Sequence, residues 1–157
     1  GRVVMSNGPY LEVTASEVGK PEKVVSGQDL KDPSGKIALK VRVQCPNWLD
    51  VNRVFVLVNG RIHPLHNYSR QNNADAFRSG VVKFERTLEL ELKGDAHIVV
   101  ATGHAGGKLG AVYGPTYGTA QPAALTNPIF VDVDGNGFQP NKDTLDAPLP
   151  VKYPTSK

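Results

Sequence analysis

The clearest periodic signal in the chain is Lys36-Ile-Ala-Leu-Lys-Val-Arg-Val-Gln-Cys45. Apolar side chains occupy every second position and mostly polar side chains fill the positions between them. This period of two is typical of a strand with one face in a core and the other face in solvent. The stretch therefore predicts a half-buried antiparallel strand.

Several further segments predict strands on both sides of this one. Arg53–Val58 is nearly continuous in apolar residues, which indicates a central strand. Asn59-Gly60 follows it and favours a type I′ hairpin, because both residues tolerate positive φ. We expect the chain to fold back through residues 61–63 and then form a polar loop over residues 64–80. Residues 81–92 alternate again, and residues 97–102 form a hydrophobic strand.

About seven strands without a helical period predict an all-β, immunoglobulin-like β-sandwich with long loops. The paired cysteines of antibody-type domains are missing, since Cys45 is the single cysteine. The expected core comprises Ile37, Leu39, Val41, Val43, Val54, Val56, Leu88, Leu90, Val99 and Ile129. Trp48 is expected to plug one end of this core, and the alternative is a tryptophan that stacks on a ligand.

The composition limits the classes of function. A chain of 157 residues fits one domain spanning residues 1–157, which buries roughly 68 to 70% of its unfolded surface. Its 18 Lys and Arg against 15 Asp and Glu give a formal charge of +3, and the basic residues are scattered, which argues against nucleic-acid binding. No run approaches the roughly 18 apolar residues of a membrane span. A single cysteine leaves the compartment open, with a preference for the periplasm or the cell exterior.

An acidic loop within residues 127–143 has the spacing of an EF-hand calcium loop. Alternate side chains converge on one point, a glycine at the sixth position allows the sharp turn, and calcium prefers six to eight oxygen ligands. The candidate ligands at positions one, three, five, seven and twelve are Asp132, Asp134, Asn136, the backbone carbonyl of Phe138, and Asp143. The alternative is a metal-free turn, because Asp-Gly and Asn-Gly pairs favour turns on their own.

No complete catalytic set is evident, so the domain alone is not expected to be an enzyme. His63-Pro-Leu-His66 lacks a third metal ligand with telling spacing, and its proline excludes a shared helical face. Gly103-His-Ala-Gly-Gly-Lys108 departs from a phosphate-binding loop at both of its ends. Cys45 lies at the end of an apolar strand, where a buried and inert thiol is expected.

The chain resembles the carboxy-terminal β-sandwich that follows the catalytic barrel in bacterial metal-dependent hydrolases of the PHP (polymerase and histidinol phosphatase) superfamily. The resemblance spans almost the whole chain and rests on three motifs in order: Gly1-Arg-Val-Val-Met-Ser-Asn-Gly-Pro9, the central Asn59-Gly60 hairpin, and Thr126-Asn-Pro-Ile-Phe-Val-Asp132. It implies that catalysis belongs to an upstream domain of a longer chain. None of that domain's catalytic residues maps onto this sequence.

Two functional classes follow from these observations. In the first, this is a structural accessory domain that packs on an upstream catalytic domain, with residues 103–118 or the Ser6-Asn7-Gly8-Pro9 bend at the contact. In the second, it is a binding module for carbohydrate or a cell-surface partner, in which Trp48, Tyr113 and Tyr117 are stacking platforms.

Overall fold

The computed structural model describes residues 1–31 and 34–140, and in these residues eleven strands form two sheets packed face to face. The all-β sandwich is therefore confirmed. The strands are β1 Val4–Ser6, β2 Tyr10–Glu17, β3 Val24–Val25, β4 Asp29–Lys31, β5 Lys36–Gln44, β6 Arg53–Val58, β7 Arg61–Ser69, β8 Val82–Glu91, β9 Ala96–Gly103, β10 Ala123–Thr126 and β11 Ile129–Asp132. Two 3-10 turns, Ala74–Ala76 and Ala111–Tyr113, and a one-turn helix α1, Gly114–Tyr117, complete them. No helix in the described ranges has the length and apolar character needed to cross a membrane.

The strand order resembles an immunoglobulin-like arrangement. One sheet has the order β3-β2-β5-β8, and the other is built around β9. β9 pairs with β6 along one edge, and with β10 and then β11 along its other edge. β7 is added beside β6, β1 beside β10, and β4 beside β11. If β10 and β11 count as one interrupted strand and the short strands β1, β3 and β4 are set aside, seven main strands remain. The first, second and fifth of these (β2, β5 and β8) then face the third, sixth and seventh (β6, β9 and β10 with β11), and β7 lies beside β6, where the variable type of immunoglobulin domain has an added strand.

The interruption between β10 and β11 lies at Asn127-Pro128. Proline has no backbone N–H, so the ladder with β9 is broken there. The Thr126 hydroxyl replaces a missing backbone acceptor, because its Oγ1 accepts a hydrogen bond of 3.1 Å from the buried Val100 N–H. The Pro128 carbonyl instead accepts the Gly27 N–H at 2.7 Å. The Val100 N–H and the Pro128 carbonyl thus both have hydrogen-bond partners at the interruption.

The core lies between the inner faces of the two sheets, and every predicted core residue except Val99 is buried. Val99 is only half-buried, while Ile98 and Val100 on either side point inward. The choice of Val99 was wrong because residues 97–102 are apolar on both faces. An alternation of polar and apolar residues is what tells one face from the other, and this strand has none.

The hairpin at Asn59-Gly60 is confirmed, with φ of 49° and 76° at these two residues, as a type I′ turn requires. The returning strand is longer than predicted, since β7 continues through Pro64 to Ser69 where a loop was expected. Proline is tolerated there because β7 is an edge strand that pairs with β6 alone in the described sheet.

The sandwich has two chemically different ends. Arg53 pairs with Gly103, which itself pairs with Ala123, so the segments 6–9, 45–52, 69–73 and 103–122 gather at one end, here called the loop end. Ile98 pairs with Ile129 near the opposite end. Residues 94–95 and 132–139 lie there, and we call it the acidic end.

Candidate functional site

At the acidic end, three carboxylates converge. One oxygen from each of Asp95, Asp132 and Asp134 lies within 4.8 Å of the other two. The sequence predicted that Asp132 and Asp134 come together, but it did not identify Asp95 as a member of the cluster. The missing signal is long-range, because the pairing of Ala96 with Val131 brings Asp95 beside the loop.

The Asp132 carboxylate organises the loop from inside. Asp132 is buried, and its two oxygens accept the N–H groups of Gly135 at 2.7 Å and Gly137 at 2.9 Å. Both glycines have positive φ, 79° and 98°, a conformation that side chains rarely adopt. The sequence spacing of aspartate and glycine is thus explained by a turn that wraps around one carboxylate.

Asp95 holds the same loop from β9. Its carboxylate accepts the N–H of Val133 at 2.9 Å and the N–H of Gln139 at 2.7 Å. Four backbone N–H groups therefore point at two of the three converging carboxylates. Such donors stabilise negative charge, which offsets the mutual repulsion of the carboxylates without a cation.

The other three predicted calcium ligands, Asn136, Phe138 and Asp143, are not members of the three-carboxylate cluster. The Asn136 side chain donates a hydrogen bond of 2.7 Å to Asp134, and it therefore stays next to the cluster. The Phe138 ring packs against Phe130, with 4.9 Å between the ring centroids. Asp143 lies outside the described residues. The oxygen-rich set of three carboxylates has the hard-ligand chemistry that calcium prefers.

The sequence predicted that Trp48 plugs one end of the core, and this prediction was wrong. Its side chain is 65% exposed, whereas the neighbouring Leu49 is 2% exposed and packs with Cys45 and Leu109. The smaller leucine enters the core and the tryptophan is turned outward. This favours the alternative interpretation of Trp48 as a residue that meets a ligand or a partner.

The two segments proposed as contact regions meet at this end. A Cβ on Gly8 would lie 2.6 Å from Leu49 Cδ2, and 3.3 Å from both Leu109 Cδ2 and the Tyr113 hydroxyl. A larger residue at this position would therefore require the Leu49 side chain to shift. The neighbouring Asn7 side chain joins the bend to residues 121–123, because it accepts the Ala123 N–H at 2.7 Å and donates to the Gln121 carbonyl at 2.9 Å.

The joined segments present exposed apolar side chains. Tyr117 is 67% exposed, Val112 is also exposed, and Tyr113 is partly exposed. Together with Trp48 they make the loop end unusually rich in exposed aromatic groups. Single exposed apolar residues are common on protein surfaces, and a group of them at one end is a candidate interaction surface.

A polar cleft of about 590 Å³ opens at the same end, and it is lined by residues from three loops, including Asp50, Arg53, Arg70, Gln71 and His104. Arg70 Nη2 donates to both Asp50 oxygens, at 2.8 and 2.9 Å. Lys83, itself buried, holds its Nζ at 4.0 Å from Asp50. The positive charge around the cleft therefore exceeds the negative charge.

The histidines predicted not to bind metal are engaged in hydrogen bonds. His63 and His66 stack with 4.6 Å between their ring centroids. His63 Nδ1 accepts the Leu65 N–H at 3.2 Å, and His66 Nε2 lies 2.9 Å from the Glu89 carbonyl, to which it donates. Burial, together with the nearby His66, lowers the pKa of His63 to about 4, so His63 is neutral at pH 7. Burial also raises the pKa of the Cys45 thiol.

Comparison with known proteins gives no relative from which a function can be transferred: no family model, no curated protein and no solved structure matches this chain. The resemblance to the carboxy-terminal sandwich of PHP hydrolases therefore stays a hypothesis.

Proposed function

We propose that this chain is a non-catalytic accessory domain of a metal-dependent hydrolase-like protein, and that it contacts the catalytic domain through its loop end. The observation that carries the proposal is the exposure of Trp48, Val112 and Tyr117 at one end of the sandwich. Apolar groups of this size, held by packed loops, are the usual anchors of protein contacts.

Several contacts within the chain hold the loops of the loop end in place before any partner binds. Gly8 packs on Leu49, Leu109 and Tyr113, and Asn7 links its bend to residues 121–123 by hydrogen bonds. Because these loops are held to one another, binding through them costs less ordering entropy than binding through free loops.

A non-catalytic role is supported by the state of the nucleophilic and basic groups. The Cys45 thiol is buried and donates to the Leu49 carbonyl at 3.3 Å, and its raised pKa disfavours the reactive thiolate. His63 and His66 use ring nitrogens within the fold.

We further propose that calcium binds at the acidic end and stabilises the fold. Asp95, Asp132 and Asp134 supply three carboxylates, and Asn136 lies beside them. The site is far from the loop end, so a structural role for the ion fits better than a role in partner contact. Weak affinity is expected, on the order of 10⁻⁴ to 10⁻³ M as in extracellular modules.

A second candidate function is a carbohydrate-binding module. The exposed Trp48 ring favours it, because an exposed tryptophan offers a flat apolar platform next to polar groups. Asp50, two residues further on, lines the polar cleft.

The coding sequence upstream of Gly1 gives the first test, since a histidine-rich metal-binding barrel is expected there. The separately produced barrel and sandwich should then associate. Trp48→Ala combined with Tyr117→Ala should weaken this association roughly a thousandfold, because aromatic anchors contribute about 2 kcal/mol or more each and about 1.4 kcal/mol corresponds to a factor of ten.

The control is Ile62→Ala combined with Leu65→Ala, which removes exposed apolar side chains from β7 instead of the loop end. This control should associate like the wild type. An upstream region without such a barrel, or equal losses in both double variants, would overturn the accessory-domain proposal.

A further inference from the structure

The two sheets differ in the chemistry of their outer faces. On the four-stranded sheet, Lys40 lies 3.4 Å from Glu85 and Arg42 lies 3.6 Å from Glu12, so charged pairs cover its surface. A polar outer face of this kind is usual where an antiparallel sheet meets solvent. The larger sheet, built around β9, instead turns apolar side chains outward along five of its strands.

Seven apolar side chains form this surface, which we call the outer apolar face. Each of them has a neighbour in its strand that points into the core, so all seven point away from the core. They are Met5 on β1, Phe55 and Leu57 on β6, Ile62 on β7, Val99 and Ala101 on β9, and Leu125 on β10.

The strand register joins four of these side chains into a row across the sheet. Met5 pairs with Leu125, and Leu125 pairs with Ala101. Ala101 pairs in turn with Phe55 on its other side. Because Ala101 is smaller than both of its neighbours in the row, it leaves a hollow between Leu125 and Phe55. An apolar side chain from an opposing surface can enter such a hollow, as side chains interdigitate between packed sheets.

A second row lies beside the first one, and the face remains open to solvent. Val99 pairs with Leu57, and Leu57 pairs with Ile62. The side chain of Met5 is 54% exposed, that of Ile62 is 43% exposed and that of Leu125 is 38% exposed. The exposed residues are therefore contiguous, which separates this face from the singly scattered apolar residues that are common on protein surfaces.

The size of the face is sufficient for a specific contact. Five strand positions lie side by side in this sheet: β7, β6, β9, then β10 with β11, and finally β1 with β4. At about 4.8 Å per strand and about 3.4 Å per residue over roughly six residues, the face covers about 500 Å². Two such faces would bury on the order of 1,000 Å² in total, which reaches the lower limit for a specific interface.

The chemistry of the face favours a second copy of the same chain as its occupant. A two-fold interface brings the same patch of both subunits together, so the patch has to complement itself. The seven side chains carry no charge, and two copies therefore meet without like-charge repulsion. Charged residues lie at the margins, such as Arg53 at the first position of β6 and Asp29 on β4. An apolar centre with a polar margin is the usual anatomy of a protein interface.

We propose that this chain forms a two-fold symmetric dimer in which the outer apolar faces of two copies pack against each other. The dimer is an addition to the proposed function, because it uses the face of a sheet and leaves the loop end and the acidic end uncovered. The contact area lies at the lower limit for a specific interface, so we expect weak association with a dissociation constant on the order of 10 to 100 µM.

The experiment is sedimentation equilibrium of the whole chain at concentrations from about 5 to 500 µM, a range that brackets the expected dissociation constant. The apparent mass should rise with concentration from the monomer mass of 16.9 kDa towards that of a dimer. Leu125→Lys should raise the dissociation constant at least about tenfold, because each dimer would place two ammonium groups in an apolar contact. Met5→Lys should have the same effect from a different strand.

The matched control is Val112→Lys, which makes the same kind of substitution at an exposed apolar residue of the loop end. This variant should dimerise like the wild type. Thermal melts of all three variants establish that they are folded, and Met5, as the more exposed position, serves as the test if Leu125→Lys is unfolded.

Three outcomes would overturn the dimer. The first is a chain that stays monomeric at about 500 µM. The second is dimerisation that neither lysine variant on the face weakens, or that Val112→Lys weakens equally, which would move the contact to another surface. The third is a monomeric chain in which Leu125→Lys weakens binding to the separately produced barrel, which would assign the face to the catalytic domain. The accessory-domain proposal keeps its own test at the loop end in the first two cases.

Discussion

The carboxylates of Asp95 and Asp132 lie within 4.8 Å of each other, although Asp95 directly precedes β9 and Asp132 is the last residue of β11. β9 and β11 pair in an antiparallel ladder, and Ala96 faces Val131 directly. Asp95, which precedes the first residue of β9, therefore meets Asp132, which ends β11. This pairing makes a third carboxylate available to a loop that supplies two of its own.

Calcium should raise the unfolding free energy of the chain. Binding to the folded state alone adds about 2.7 kcal/mol when calcium is at 100 times its dissociation constant. The measurement is a thermal melt after chelator treatment, with and without calcium. Asp134→Asn should abolish the calcium effect and leave the calcium-free melting temperature nearly unchanged, because Asp134 is exposed and its removal also relieves repulsion.

The control for calcium is Glu12→Gln, which removes an exposed carboxylate from the opposite sheet and should keep the full calcium effect. Identical thermal midpoints of the wild type with and without calcium would show that the acidic loop is a metal-free turn held by Asp132 and Asp95. Asp132→Ala is a poor test, because it removes a buried carboxylate that accepts the N–H groups of Gly135 and Gly137 and is therefore destabilising in any case.

Leu90→Ala should lower the unfolding free energy by roughly 2 to 5 kcal/mol, because Leu90 is buried between the sheets and its removal leaves a cavity. Val99→Ala is the comparison, since Val99 is half-buried and faces away from that core. Urea denaturation should show a smaller loss for Val99→Ala. A loss below about 0.5 kcal/mol for Leu90→Ala would contradict the assigned face of β8.

The loop end allows a sharp test of which neighbour enters the core. Leu49→Ala should cost roughly 2 to 5 kcal/mol, because Leu49 packs with Cys45 and Leu109. Trp48→Ala should change stability by no more than about 0.5 kcal/mol, since the indole is mostly exposed. Equilibrium denaturation measures the unfolding free energy of both variants. A larger loss for Trp48→Ala than for Leu49→Ala would show that Trp48, and not Leu49, is the residue packed in the core.

His63 should make the fold less stable in acid. Its pKa falls from 6.5 to about 4 on folding because the buried imidazole favours the neutral form. The unfolded chain thus binds the proton more readily, and stability is lost as the pH falls from about 6.5 towards 4, by up to about 3 kcal/mol in total. Below pH 4 this contribution no longer changes.

His63→Asn tests this contribution, because asparagine retains an acceptor for the Leu65 N–H but does not titrate. The variant should lose less stability than the wild type between pH 6.5 and pH 4 in denaturant titrations at each pH. Parallel curves for the two proteins over that interval would show that His63 is not the group responsible.

Features set by neighbouring residues were readable from the sequence. The alternation in residues 36–45 places Ile37 and Val43 on a buried face, because a strand turns successive side chains to opposite sides. The Asn59-Gly60 pair specifies its turn through the backbone conformations it tolerates. The aspartate and glycine spacing in residues 132–137 likewise predicted a tight turn, while the structure showed that this turn wraps around the Asp132 carboxylate.

Only the tertiary structure decided the features that depend on residues far apart in the chain. It selected Ile98 and Val100 over Val99, because a strand that is apolar on both faces takes its orientation from the sheet packed against it. It turned Trp48 outward because Leu49 fills the space between Gly8 and Leu109. It also brought Asp95 to the acidic loop through the pairing of β9 with β11, which no local pattern encodes.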